Sequence, residues 1–173
     1  MLKAAEYSAI ESLRSGGRLE IRALHPYDRD NMLAAVDRTS TQSLYRRFFA
    51  VRRHFTEAEA AFFLDIDFVN HVGLVAVVEE NGKTAIVGGG RYVVSNPGQA
   101  EVAFAVVDEY QGQGIGAALM RHLTVIAREA GLQELIAEVL PDNLPMLKVF
   151  QKSGLHPITK RASGVVHVTL QLV

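Results

Sequence analysis

The feature that most constrains this chain is a strand that runs into a glycine turn and straight on into a helix. It reads Val106-Val107-Asp108-Glu109-Tyr110-Gln111-Gly112-Gln113-Gly114-Ile115-Gly116. Residues 99–107 form the strand. Beyond the turn, Ile115, Leu119, His122/Leu123 and Ile126 share one face of a helix predicted over 114–130 and ended by Gly131. A β-rich run at 134–140 follows, so the unit is a strand–helix–strand crossover with two parallel strands. The three glycines stand at alternate positions. They remove Cβ atoms where successive N–H groups converge on one concavity at the helix N-terminus, an arrangement that suits phosphate.

The flanking segments decide which sheet this unit joins. Two β-rich runs, 71–79 and 84–94, are joined by Asn81-Gly82, a strong hairpin signal. Asn96-Pro97-Gly98 is the next turn, so an antiparallel meander leads into the crossover. Upstream, 18–24 alternates as a strand, 28–38 and 40–49 read as helices, and Thr56-Glu57-Ala58-Glu59 is a capping box opening a helix through Leu64. Residues 3–14 read as a short helix closed by Gly16-Gly17. Downstream, a helix is predicted over 142–153, with Asp142 as N-cap, Pro145 in the first turn and Gly154 past its end. Closing strands at 155–160 and 165–173 surround Ser163-Gly164. The expected fold is α+β (α/β at the crossover): a central mixed, mostly antiparallel sheet flanked by helices on both faces. Residues 1–17 are expected to be an N-terminal helical extension and 18–173 one domain.

Other readings of the glycine turn are a purely structural turn, a dinucleotide fingerprint and a P-loop. Gly112, Gly114 and Ala117 formally satisfy G-x-G-x-x-A, with Glu134 or Glu138 near the expected acidic position. Such a fingerprint opens a doubly wound parallel domain. This one follows an antiparallel meander, and fewer than sixty residues remain. A P-loop fails because no Lys-Ser or Lys-Thr follows Gly116.

Composition narrows the partners. With 18 basic and 19 acidic side chains the net charge is -1, so no global field recruits nucleic acid or an anionic membrane. Zero cysteines exclude disulfides, thiolate metal sites and a cysteine nucleophile. The six histidines (His25, His54, His71, His122, His156, His167) show no metal-ligand spacing. The apolar runs Val72–Val78 and Val102–Val107 are strand-sized, short of the roughly 18 residues a membrane span needs. Without a signal-like N-terminus, the expected location is the cytoplasm.

Gln111-x-x-Gly114-x-Gly116, following a strand and opening a helix, resembles the pyrophosphate-binding motif of the GNAT (Gcn5-related N-acetyltransferase) superfamily. Asn143 before an amphipathic helix, with Phe150 and Gly154-Leu155, resembles that family's second CoA-contacting motif. Ser43-Leu44-Tyr45-Arg46-Arg47-Phe48-Phe49 together with Ala100-Glu101-Val102-Ala103-Phe104 is similar to GNAT domains of bacterial protein-lysine acetyltransferases. Those domains are often fused to a cyclic-nucleotide-binding or acyl-CoA-synthetase-like module; neither is read in this sequence.

The resemblance implies acetyl-CoA as acyl donor, no metal, and a primary amine as acceptor, with a protein lysine as the leading class and room for a homodimer. Transfer would proceed by direct attack through a tetrahedral intermediate. A small-molecule amine acceptor, or a non-catalytic CoA-binding sensor, is the alternative; a nucleotide-dependent oxidoreductase is the third class. The pantetheine arm would pair with the backbone of Phe104, Ala105 and Val106, which requires the parallel strands to splay. Gly112, Gln113, Gly114, Ile115, Gly116 and Ala117 would wrap the pyrophosphate beside Gln111, and Asn143 would contact the pantetheine.

A free lysine is neutral in roughly one molecule in two thousand at pH 7, so acyl transfer calls for a base. Glu101 and Glu138 stand where two branches of the family keep theirs, and Glu101 is the preferred candidate. A main-chain N–H near Val106 or Val107 would meet the oxyanion. Many GNAT enzymes place an acidic tyrosine where Phe150 stands, and phenylalanine cannot donate that proton. Arg46, Arg47, Arg52 and Arg53 form a basic cluster that could face solvent, steer an acidic partner or meet the CoA 3′-phosphate.

Overall fold

The computed structural model describes residues 2–40 and 57–173, except for the side chains of Glu59, Ala60 and Phe63. The helix expected over 40–49, the cap Thr56, the segment 43–49, the basic cluster and His54 therefore lie outside the described residues, apart from Ser40.

The described strands form one eight-stranded sheet in the order β1-β2-β3-β4-β5-β6-β8-β7. They are β1 (Ser8–Ser12), β2 (Arg18–Ala23), β3 (His71–Glu80), β4 (Lys83–Asn96), β5 (Gln99–Val106), β6 (Glu134–Val139), β7 (Ile158–Ala162) and β8 (Val165–Gln171). Every neighbouring pair is antiparallel except β5 and β6. The β3–β4 hairpin closes through Asn81 and Gly82 at φ 52° and 78°, the two positive angles that a two-residue turn matched to strand twist needs. The helices are α1 (Arg29–Asp37), α2 (Glu57–Leu64), α3 (Ile115–Glu129) and α4 (Leu144–Gln151).

β3 shows why the sheet is covered on two faces. Its first eight residues are all buried. Val72, Leu74, Ala76 and Val78 join the main core with Leu119 and Leu123 of α3 and Phe150 of α4. The alternate residues Val75 and Val77 join Leu24 and Ile86 in a second cluster, covered by Met32 of α1 and by Leu64 and Ile66. Strand periodicity sends successive side chains to opposite layers, so a continuous apolar run implies helices on each side.

Three expectations are corrected. Residues 3–14 are not a helix: only Ala4–Glu6 makes a 3-10 turn, and Ser8–Ser12 pairs with β2 from Ser8↔Arg22 to Ser12↔Arg18. Gly16, at φ +96°, is part of a hairpin turn rather than a helix cap. Pairing with the neighbouring strand β2 overrides local helical preference here. Within the described residues 2–17, Ser8–Ser12 is accordingly the edge strand of the sheet and not part of a helical extension. Second, the cap of α4 is Asn143 rather than Asp142, because the Asn143 side chain accepts the Met146 N–H at 3.3 Å. Third, the strand expected from 155 starts only at Ile158, since His156 takes φ 52° and Pro157 follows it.

Candidate functional site: a cleft at the splayed strands

β5 and β6 pair over only three residues, Gln99↔Glu134 to Glu101↔Ile136. β5 then continues through Phe104, Ala105 and Val106 without β6 beside it. On its other edge the same stretch pairs with Gly90, Gly89 and Gly88 of β4. The Val107 N–H donates to Val87 O at 2.9 Å. Antiparallel peptide groups alternate in direction, so those of Phe104 and Val106 turn away from β4, into the gap. Val106 O receives Gln111 Nε2 at 3.1 Å. The gap is thus an open strand edge with main-chain groups available for an extended ligand.

The gap widens into a cleft of about 570 Å³. Its walls are the end of β5, the turn from Tyr110 to Gly114, the first turn of α3, residues 143–152 around α4, and Arg14 from the β1–β2 hairpin. Gly112 and Gly114 take φ +81° and +89°, left-handed values that spare only glycine from strain. Gly114 is also the N-cap of α3, so the orphan N–H groups of that helix open on the cleft. Gly116 serves packing as well: a Cβ there would lie 3.5 Å from Val149 Cγ2 of α4.

A network of charges holds the turn from beneath. Arg38 bonds Glu80 through both terminal nitrogens at 2.8 and 2.9 Å and reaches Glu109 at 3.2 Å. Tyr110 donates its hydroxyl to Glu80 at 2.7 Å. The Arg38 bonds, helped by that of Tyr110, hold the Glu80 carboxyl below its ordinary pKa. Glu80 in turn, with burial, raises the Tyr110 phenol, whose proton points at Glu80.

A family model described as the acetyltransferase (GNAT) family matches residues 38–155. The chain belongs to the GNAT family. Acetyltransferase Pat of Mycolicibacterium smegmatis is 36% identical over 144 residues, covering 82% of this chain and 42% of that protein. The chain thus spans less than half the length of that relative. An acetyltransferase of Pseudomonas aeruginosa is 35% identical, covering 73% of this chain and 68% of that protein. The crystal structure of the GNAT domain of S. lividans PAT superposes with a TM-score of 0.85 at 34% identity, covering 95% of this chain and 96% of that one.

Of the GNAT-motif residues singled out from the sequence, Phe104, Ala105, Val106, Gln111, Gly112, Gly114, Ile115, Gly116, Ala117 and Asn143 all line the cleft. Gln113 and Phe150 do not. Gln113 faces the N-terminal hairpin, its main-chain carbonyl accepting the Arg14 N–H and its Oε1 the Ser15 N–H. Phe150 is 1% exposed, its ring 6.2 Å from that of Phe104 in the core. An apolar ring completes the packing of α4 on the sheet, so the place compared with the family's tyrosine lies behind the cleft wall. The oxyanion expectation narrows too. The Val107 N–H is already bonded to Val87, which leaves Val106.

Glu101 and Glu138 are outside the cleft lining, and both are exposed. Glu101 pairs with Ile136, and strand alternation puts Ile136 and Glu138 on one face, so the carboxylates share the sheet face opposite α3. Glu138 lies 3.6 Å from His167 Nδ1. Among the described residues no group of three His, Asp or Glu could hold a metal ion. No helix among them is long and apolar enough to cross a membrane.

Sequence reasoning missed Arg14, Lys148 and Lys152, three cations lining the cleft. The lysines sit one turn apart on the very helix flagged by the CoA motif, so their spacing was a usable signal. It also passed over Gly88-Gly89-Gly90, whose three small residues inside a strand mark a close approach.

Proposed function

We propose that the chain transfers the acetyl group of acetyl-CoA to a primary amine, with a protein lysine as acceptor. The observation that carries this reading is the open edge of β5. Peptide groups of Phe104 and Val106 face a gap that leads directly to the phosphate-binding turn at the N-terminus of α3. A pantetheine arm needs amide partners in an extended slot and a pyrophosphate needs convergent N–H groups; the cleft offers both in sequence.

In this reading Gly112 to Ala117 bind the pyrophosphate and the β5 edge aligns the thioester. The amine nitrogen attacks the carbonyl carbon, an N–C bond forms and the C–S bond breaks. Glu101, directly or through water, takes the proton that the amine gives up, and CoA leaves as thiolate. The Val106 N–H meets the oxyanion. With a reference thiol pKa of about 8.5, the sulfur leaves without a phenol at position 150. Glu101 and Glu138 both stand on an open face, which suits an acceptor presented on another protein's surface.

The test is CoA thiol release with lysine peptides and small amines, run beside titrations with acetyl-CoA and NAD. Glu101→Gln is expected to leave acetyl-CoA affinity intact and to lower turnover by roughly 10²–10⁴. The same loss at Glu138→Gln alone would move the base to that residue. Acetyl-CoA binding with no thiol release for any amine would leave a CoA-binding sensor.

A further inference from the structure

We infer that Arg14, carried by the turn of the β1–β2 hairpin, is a ligand of the donor's pyrophosphate, and that the N-terminal hairpin is a working wall of the donor site. The inference rests on the reading that acetyl-CoA occupies this cleft. Arg14 lines it, and its Nη1 donates to Gly112 O at 3.2 Å. Its Nε lies 3.8 Å from where a Cβ on Gly114 would stand. The guanidinium therefore sits beside the N-cap of α3, where the helix N–H groups emerge.

The hairpin is fixed there rather than merely near. At its turn, the Arg14 N–H donates to Gln113 O at 3.2 Å and the Ser15 N–H to Gln113 Oε1 at 3.0 Å. Farther along, Glu11 Oε1 meets His122 Nε2 at 2.8 Å and Arg121 Nη2 at 3.0 Å, and the Tyr7 hydroxyl hydrogen-bonds His122 Nδ1. β1 is thus clamped to α3 along its length, with Arg14 at the cleft end of the clamp.

Charge accounting separates Arg14 from the arginines held in ion pairs, and its place in the cleft lining separates it from Arg18, Arg128 and Arg161, which also meet no carboxylate among the described residues. Arg22 pairs with Asp28, Arg29 with Glu57, Arg38 with Glu80 and Arg121 with Glu11. Arg14 meets no carboxylate among the described residues; its side chain bonds only the carbonyl of Gly112. That leaves a full positive charge and further N–H donors directed at the site of a polyanion. A guanidinium fork matches phosphate oxygens in a way a lysine does not. Lys148 of α4 and Lys152 at its C-cap line the same cleft.

The experiment is a thermal-shift titration, which reaches millimolar ligand, of the wild type, Arg14→Ala and Arg14→Lys. The ligands are acetyl-CoA, its 3′-dephospho form and S-acetylpantetheine, which has no pyrophosphate. Arg14→Ala is expected to weaken both pyrophosphate ligands by roughly tenfold, the scale of one charged hydrogen bond, and to leave S-acetylpantetheine unchanged. Arg14→Lys should recover part of the loss. The affinity of the wild type for acetyl-CoA should also fall more steeply with salt than that of Arg14→Ala. Equal weakening of all three ligands would mean that Arg14 only shapes the turn, and would overturn the inference. So would unchanged acetyl-CoA affinity, or a loss confined to the 3′-phosphorylated form. A wild type unaffected by acetyl-CoA would overturn the donor-site reading itself, and the Arg14 assignment with it.

Discussion

Gly90→Ala tests how the core supports the cleft beside β5. A Cβ at Gly90 would stand 2.7 Å from Phe104 Cδ1, 3.0 Å from its Cε1 and 3.1 Å from Leu123 Cδ1. Carbon atoms settle at about 3.5–4.0 Å, so the closest contact is short by roughly 1 Å. Phe104 cannot easily swing aside, because it is buried and its ring meets that of Phe150. Overpacking of this kind costs about 1–3 kcal/mol, and replacing a strand glycine offsets about 0.5–1 kcal/mol of it. The central net loss of about 1 kcal/mol corresponds to a Tm lower by about 2–4 °C for a chain of this size. Gly89→Ala is the matched control. Its Cβ would point to the other layer, 3.6 Å from Leu74 O, an ordinary contact. Melting curves should rank Gly90→Ala below wild type and Gly89→Ala at or above it. Because Phe104 also lines the cleft, acetyl-CoA affinity should fall in Gly90→Ala. Equal melting of the two variants, or a Gly90→Ala protein as stable as wild type, would refute the packing argument.

Phe150→Tyr places a hydroxyl in a site with 1% exposure, where an unpaired donor costs about 1–3 kcal/mol; melts should show the loss, while turnover per folded molecule stays constant. Asp28, 1% exposed, receives Arg22 through both oxygens at 2.8 Å and the His25 N–H at 2.8 Å. Burial alone would raise its carboxyl, but these bonds outweigh burial and hold its pKa below the ordinary value. The stabilisation is therefore complete above the unfolded-state pKa of about 3.9 and is lost as pH falls through the lower folded value. Asp28→Asn should cost about 3 kcal/mol at pH 7 and flatten the acid limb of a stability–pH profile, as read by urea melts.

What could be read from the sequence was what the backbone dictates locally. Asn81-Gly82 specifies a hairpin whatever surrounds it, and Gly112 and Gly114 demand left-handed angles that imply a turn into a helix. The splay of β5 from β6 followed only through the family resemblance, which implies a ligand along Phe104 to Val106 where a neighbouring strand would otherwise pair. The N-terminal strand was hidden, since its pairing with β2 depends on a turn at Gly16 and on a clamp to His122, more than a hundred residues away. Arg14 was hidden for the same reason, lying 98 positions from the carbonyl that it meets. Phe150 misled because a motif position gives an address on a helix but not the direction in which the ring points.

β5 divides its labour by atom type. Side chains at Val102 and Phe104 belong to the core, those at Glu101 and Ala103 look out on the opposite layer, and the peptide groups of Phe104 and Val106 face the cleft. In the proposed reading, a mutation at outward Ala103 would alter the face offered to the acceptor without disturbing the main chain that would hold the acyl donor. Donor recognition carried by peptide groups is nearly immune to sequence drift, because every residue except proline supplies the same amide. On that reading the same strand would keep one cosubstrate over long divergence while its outward face followed a changing repertoire of acceptors.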